Sequence, residues 1–304
     1  MANTYTSYDV VGKKEDISDL ISNISPTDTP FQSIIGKETV HNTLFQWQED
    51  ALRAVDLNNA QLDGFDATES ALVATTMRSN YTQILAEAIK VSATTDAVKR
   101  YGRAKETAYQ IMKKGKELKR DLEAILLSGQ AAVAGNNAAA RKMASYQAQI
   151  TASVGLDPHT GGAGTAMTEA TLLDVLEQLY TNGVDPSILM IPPGEGQVLP
   201  GWAVSGSSRY RTIPNDDPKS NKKIINVIDM YASPYGEVRV VMNRFQLNTD
   251  YLIFSPENWK LQTLRGWARD PLAKIGDSER HMIVGEFSLK HGNYLASAFV
   301  RKAA

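Results

Sequence analysis

The sequence has no cysteine among its 304 residues. That removes disulfides, thiolate metal centres, iron–sulfur clusters and thiol nucleophiles together. Packing, hydrogen bonding and assembly are left to hold the molecule. Long hydrophobic runs are missing as well, and the N-terminal MANTYTSYDVVGKKED lacks the basic-then-apolar profile of a secretion signal. The expectation is a soluble protein, with no membrane partner, made where it works. Charge of one sign is not in excess either: 32 Lys and Arg face 34 Asp and Glu, a net of −2. A dedicated nucleic-acid binder carries a strong basic surplus, so any basic surface here must be local.

Chemical signatures are equally sparse. Histidines occur only at His41, His159, His281 and His291, with no i,i+4 pair; they read as structural or exposed residues, and neither a metal nor a cofactor is expected. The phosphate-loop, dinucleotide-loop and nucleophile-elbow patterns are absent. Gly161-Gly162-Ala163-Gly164 and Pro193-Gly194-Glu195-Gly196 read as hinges rather than phosphate loops. Carboxylates are plentiful, but sequence does not show which of them converge, so no catalytic residue is assigned and no enzyme is expected. Arg209-Tyr210-Arg211 interleaves basic and aromatic residues as a nucleic-acid grip would, yet Asp216 and Asp217 follow closely.

What the chain does have is one long helical pattern. In residues 104–128, Ala104, Ala108, Ile111, Met112, Leu118, Leu122, Ile125 and Leu126 recur at three-and-four spacing. At about 1.5 Å per residue the rod is roughly 37 Å long, more than a small domain can enclose. Its other face is charged, with Lys113, Lys116 and Arg120 among the cations and Arg103 just before. Gly115 sits mid-helix at about 1 kcal/mol relative to Ala, which predicts a bend there or another backbone passing close.

Around this rod the chain alternates. Residues 1–37 read as an arm with a short helix near Asp16–Ser22, halted by Pro26 and Pro30, and a small apolar cluster of Phe31, Ile34 and Ile35. Residues 38–92 read as a long hairpin: one strand through Val40, Leu44, Phe45 and Trp47, returning somewhere in 71–91. Its tip has no clear period and is acidic, with Asp56, Asp63, Asp66 and Glu69 against Arg53.

Thr94, Thr95 or Asp96 is expected to cap the approach to the rod, and Ser128-Gly129 to end it. Residues 130–150 read as a helical or irregular link, and the glycine-rich 153–167 as a joint. A second helix is predicted over Thr168–Tyr180 with Asn182-Gly183 as its stop, then a buried strand at Ser187–Ile191. Residues 201–223 are turn chemistry. Beyond Ile224 short strands follow one another in KIINVID, EVRVVMNRFQL, YLIFS, WKLQTL, RHMIVGEFSL and NYLASAFVR. The fold class is α+β with extended excursions.

Several phrases together resemble a family. EDISDLISNISPTDTPFQSIIG, FQWQEDAL, KGKELKRDLEAILLSG, ARKMASYQAQI, DMYASPYGEVRVVMNRFQ and KIGDSERHMIVGEFSLKHGNYLASAFV are similar in layout to the major capsid proteins of tailed bacteriophages. The resemblance implies the Hong Kong 97-type fold: an N-terminal arm (1–37), an extended loop (38–92), a peripheral domain with a spine helix (93–150), an axial domain (151–250) and return strands of the peripheral domain (251–304). It implies self-assembly into pentamers and hexamers of an icosahedral head enclosing double-stranded DNA, with the protein in the virion and, during assembly, in the host cytoplasm. A separate scaffolding protein, a portal, a possible decoration protein and non-specific contact with packaged DNA would be the partners, and self-cross-linking is not expected. An encapsulin-type compartment shell and a carboxylate-dependent hydrolase are the competing readings. Within the resemblance, the acidic tip (Asp56, Asp63, Asp66, Glu69) is expected to meet the basic rod (Arg103, Lys113, Lys116, Arg120) of an adjacent copy.

Overall fold

The computed structural model describes residues 28–66, 69, 72–99, 105–151, 159–160, 168–196, 199, 230–246 and 250–301. The expected short helix near Asp16–Ser22, the glycine-rich joint, the 201–223 loop with Arg209-Tyr210-Arg211, the KIINVID strand and Arg103 lie outside them.

The described chain starts with a short helix α1 (Pro30–Ile34), which runs directly into β1 (Gly36–Thr39). A two-stranded ribbon follows, β2 (Leu44–Glu49) with β3 (Thr76–Tyr81), paired antiparallel from Leu44↔Tyr81 to Glu49↔Thr76. Residues 41–43 interrupt the single first strand that the sequence suggested. The return is also two strands: after β3 the chain turns at Thr82 into β4 (Gln83–Ser92), which leaves the ribbon and pairs elsewhere.

A one-turn helix α2 (Ala93–Ala97), capped by the Ser92 hydroxyl, precedes the long helix α3 (Glu106–Leu127). Asp96 does cap the rod, but from α2: its carboxylate accepts from the backbone N–H groups of Glu106 (2.9 Å) and Thr107 (3.2 Å) and from the Thr107 hydroxyl (2.6 Å). The Thr107 hydroxyl, more than any other contact, holds the Asp96 carboxyl below its ordinary range. At the other end Ser128 is extended and its hydroxyl bonds the Ile125 carbonyl at 2.7 Å.

Residues 130–145 are not a continuation of the helix. Val133 bridges Lys142, Gly135 turns at φ +72°, and the Asn136 side chain accepts from the N–H groups of Ala138 and Ala139. A short polar side chain that satisfies local backbone donors outcompetes the helix propensity of the neighbouring alanines. Helix resumes only at α4 (Tyr146–Thr151), followed by the two-residue strand β5 (His159–Thr160).

The remaining elements are α5 (Glu169–Thr181), β6 (Ile188–Ile191), β7 (Met230–Ser233), β8 (Gly236–Met242), β9 (Asp250–Phe254), β10 (Trp259–Leu272), β11 (Ser278–His291) and β12 (Ser297–Arg301). α5 ends at Asn182-Gly183 as expected, with Gly183 at φ +79°, and Thr168, read as the first helical residue, is instead its cap, the side chain accepting from Thr171 N–H. Two body sheets form: β1-β10-β11-β4, and β5-β12-β9-β6-β8-β7. Residues 251–304 therefore do not all return to one sheet. The chain leaves the six-stranded sheet at β9, makes the long β10–β11 hairpin of the four-stranded sheet, and comes back as β12 beside β9.

The central strands β6 and β9 of the six-stranded sheet are buried on both faces, which is why β6 reads as an unbroken hydrophobic run. Leu189, Ile191, Tyr251 and Ile253 meet Leu172, Leu176 and Leu179 of α5. Ile188, Met190, Leu252 and Phe254 point the other way, into a core with Leu118, Leu122 and Leu126 of α3, Tyr146, Trp259 and Leu289. At the centre of that core Trp259 lies between the rings of Tyr146 (4.5 Å) and His291 (4.0 Å), and Phe31 of α1 closes on the cluster edge-on. The stripe on α3 is buried only in its C-terminal half, since Met112 is 64% exposed.

Candidate inter-subunit surfaces

Two surfaces in this fold have no partner among the described residues. The first is the stretch between β2 and β3. Leu52, Val55, Leu57, Leu62, Leu72 and Val73 are each more than 80% exposed, and Phe65 is 53% exposed. Large apolar side chains gathered on one projection mark a contact surface. Sequence reasoning singled out the acids here and missed these residues. The signal was present as seven large apolar residues in a stretch with no period, where a solvated loop would be almost wholly polar.

The four acids are exposed too. Asp56 accepts from Asn58 N–H at 2.9 Å and lies 4.0 Å from Arg53, which shapes the tip locally. Asp63 and Asp66 flank a turn in which Phe65 N–H donates to the Leu62 carbonyl and Gly64 has φ +78°.

The second surface is the outer face of α3. Lys105, Met112, Lys113, Lys116 and Lys119 are exposed, and Asp121 is the acid exposed near them. Lys113 is 4.0 Å from Glu117, whereas Lys114 turns toward the body to Glu117 (2.8 Å) and Glu87 of β4 (3.6 Å). The hydrogen bond that the Lys114 ammonium donates to Glu117 keeps it above its ordinary value. Arg120 is half-buried, with its guanidinium 5.7 Å from the Phe245 ring centre, so it belongs to the body more than to the basic face. Around Gly115 there is open space: an added Cβ would meet nothing within 4 Å. Of the two alternatives foreseen for it, the close-passing backbone is not met among the described residues.

The body's own polar groups are largely spent on holding elements together. Glu123, fully buried on α3, accepts from the Phe31 and Gln32 N–H groups at the start of α1 (2.7 and 3.1 Å) and from Asn243 (2.7 Å). Burial raises its carboxyl above the usual range, opposed by these donors. Tyr251 donates to buried Glu195 at 2.6 Å, and burial pushes its phenol strongly up. Glu38 accepts from Gln262, which more than the adjacent Lys290 and Lys260 lowers its carboxyl. Among the described residues no three His, Asp or Glu gather as metal ligands, and no helix is long and apolar enough to cross a membrane.

Comparison with known proteins places this geometry. A model of the SU10 major capsid protein family matches residues 2–304. The curated major capsid protein of Escherichia phage Phieco32 is 36% identical over 353 aligned positions, covering 100% of this chain and 99% of the relative. Among solved structures, the Cyanophage A-1(L) capsid asymmetric unit superposes with a TM-score of 0.66 at 11% identity over 98% of each chain. The capsid of an empty GTA particle does so at 0.64 and 10% identity over 96% of each.

Proposed function

The chain belongs to the SU10 major capsid protein family, with the Hong Kong 97-type fold of tailed-phage heads, and from that premise we propose how copies of it are joined. It is a structural subunit of a phage capsid and a virion component. In the proposal, pentamers and hexamers close into an icosahedral shell around double-stranded DNA. The β2–β3 tip of each copy lies on the outer face of α3 in the next. A separate scaffolding protein, a portal and a possible decoration protein act with it in the host cytoplasm, and packaged DNA is touched without sequence preference.

The observation that carries this reading is the apolar tip. Burying a large aliphatic side chain is worth about 1.5–3 kcal/mol, so the six most exposed residues, Leu52, Val55, Leu57, Leu62, Leu72 and Val73, hold on the order of 10 kcal/mol before the cost of ordering the loop. An exposed ion pair contributes about 0.2–1 kcal/mol. Apolar contact therefore supplies the adhesion, while Asp56, Asp63, Asp66 and Glu69 against Lys113 and Lys116 set encounter rate and register.

The two contributions separate experimentally. Reversing Asp56, Asp63 and Asp66 to Lys should delay assembly, followed by light scattering, at roughly 0.02 M salt and much less at roughly 0.5 M, where charges are screened over a few ångströms. Leu57→Ser with Leu62→Ser should suppress assembly at both. Wild-type kinetics from the lysine variant at low salt would remove the electrostatic half of the proposal, and wild-type kinetics from the serine variant would remove the adhesive half.

A further inference from the structure

The ribbon β2–β3 joins the body through two legs of unequal firmness. On the β2 side the link is residues 41–43, of which His41 and Asn42 are exposed. On the β3 side three consecutive residues, Asn80, Tyr81 and Thr82, form a corner before β4, and Asn80 and Thr82 are fully buried. The Asn80 side chain uses its whole hydrogen-bonding capacity there. Its amide donates to the carbonyls of Leu289 (2.7 Å) and Ala144 (3.2 Å), and its oxygen accepts from the N–H groups of Ala144 (2.8 Å) and Tyr81 (2.8 Å).

The next two residues are held as tightly. Tyr81 O accepts from the Ser288 hydroxyl at 2.7 Å, Thr82 N–H donates to Thr43 O at 2.9 Å, and Thr82 O accepts from Arg141 Nε at 3.1 Å. The Thr82 hydroxyl donates at 2.6 Å to Glu286, which is 3% exposed and also accepts from Arg141 Nη2 (2.5 Å) and Arg265 Nε (3.0 Å). A buried carboxylate with one hydroxyl and two guanidinium donors makes charge-assisted bonds on both oxygens, and removing one donor leaves the rest strained or unpaired.

We propose that Asn80, Thr82 and Glu286 are positioning residues that fix the angle at which the ribbon leaves the body, and so the curvature at which successive copies join. The inference rests on the family reading above and adds to it the residues that aim the contact. The lever is long. From Asn80 to Asp63 the chain spans at most about 55 Å when extended, so a change of about 5° at the corner displaces the tip by up to about 5 Å, a whole side-chain contact. A loosened corner changes where the tip lands without removing any residue that does the landing.

The absence of cysteine allows a direct test on the full-length, unassembled chain. Spin labels at Gln48→Cys on the ribbon and Asp121→Cys on α3, both exposed positions, report the ribbon angle by pulsed electron resonance. Thr82→Val keeps the shape and removes only the hydroxyl, Glu286→Gln keeps the size and removes the charge, and Asn80→Ala removes the corner amide. With folding checked by the tryptophan signal of the core, the parent should give one narrow distance distribution, and the Val and Gln variants a shifted or broadened one. Shells formed by the variants, sized by electron microscopy, should then spread in diameter relative to the parent.

Superimposable distance distributions in folded Thr82→Val and Glu286→Gln chains would overturn the proposal, even if Asn80→Ala fails to fold. Altered distances with unchanged shell diameter would overturn its second half. A parent chain that forms no shells would count against the assembly reading instead, since the angle is measured independently of assembly.

Discussion

His291 shows what burial does to a single side chain. It is 3% exposed, stacked on Trp259, and its Nε2 lies 3.0 Å from the Ser297 hydroxyl, which also accepts from Trp259 Nε1 at 2.8 Å. Burial among apolar rings favours the neutral imidazole over the charged one. Burial, helped by the Arg78 charge, lowers its pKa to about 3. Because the folded value lies below the unfolded one, near 6.5, this group's stabilisation is fully present above about pH 6.5 and is lost as the pH falls toward 3. The slope is about 1.4 kcal/mol per pH unit. Glu123, raised by burial, works with the opposite sign: its contribution is present in acid and is lost as the pH rises through its folded value. Urea denaturation of the unassembled chain between pH 7 and 5 should show the histidine slope, flattened in His291→Phe. Equal slopes in parent and variant would refute the assignment. The sequence offered His291 only as structural or exposed, since its stacking partner lies far away along the chain.

Among the elements, those with a strong local period were the legible ones. The rod, α5 with its Asn182-Gly183 stop, and the buried strand β6 declare themselves through spacing and stop signals. The segment 130–145 did not, because the Asn136 turn competes with alanine propensity at a range no periodicity samples. The β10 strand was foreseen only over WKLQTL: it runs on to Leu272 through register shifts at Arg265 and past Pro271, features that read as breaks and that blunt an outer edge against unwanted pairing. Gly115 carries the prediction at this scale. With open space around its Cβ position, Gly115→Ala should stabilise the isolated chain by about 1 kcal/mol, seen as a raised melting temperature. A lowered one would mean the helix relies on glycine for its path.

For the molecule as a whole, the two body sheets share one continuous chain: β9 and β12, neighbours in the six-stranded sheet, are the stems of the hairpin that builds half of the four-stranded one. That exchange ties the two layers to a shared core, whereas among the described residues the β2–β3 ribbon pairs with neither sheet. Which strands pair was hidden in the sequence, because alternation fixes the face a residue shows and leaves its neighbour open. The candidate surface was half legible for the same reason: its charges stood out by composition, whereas its apolar residues acquire meaning only once none of the described residues is found to cover them.

A joint made largely from uncovered leucine and valine also has a thermal signature. Apolar attraction near room temperature is driven by released water and weakens on cooling. Assemblies held by the tip should therefore loosen in the cold: chilling from about 25 °C toward freezing should release subunits, visible by sedimentation, and rewarming should recover them. A shell that tightens on ice would be held by something other than those side chains.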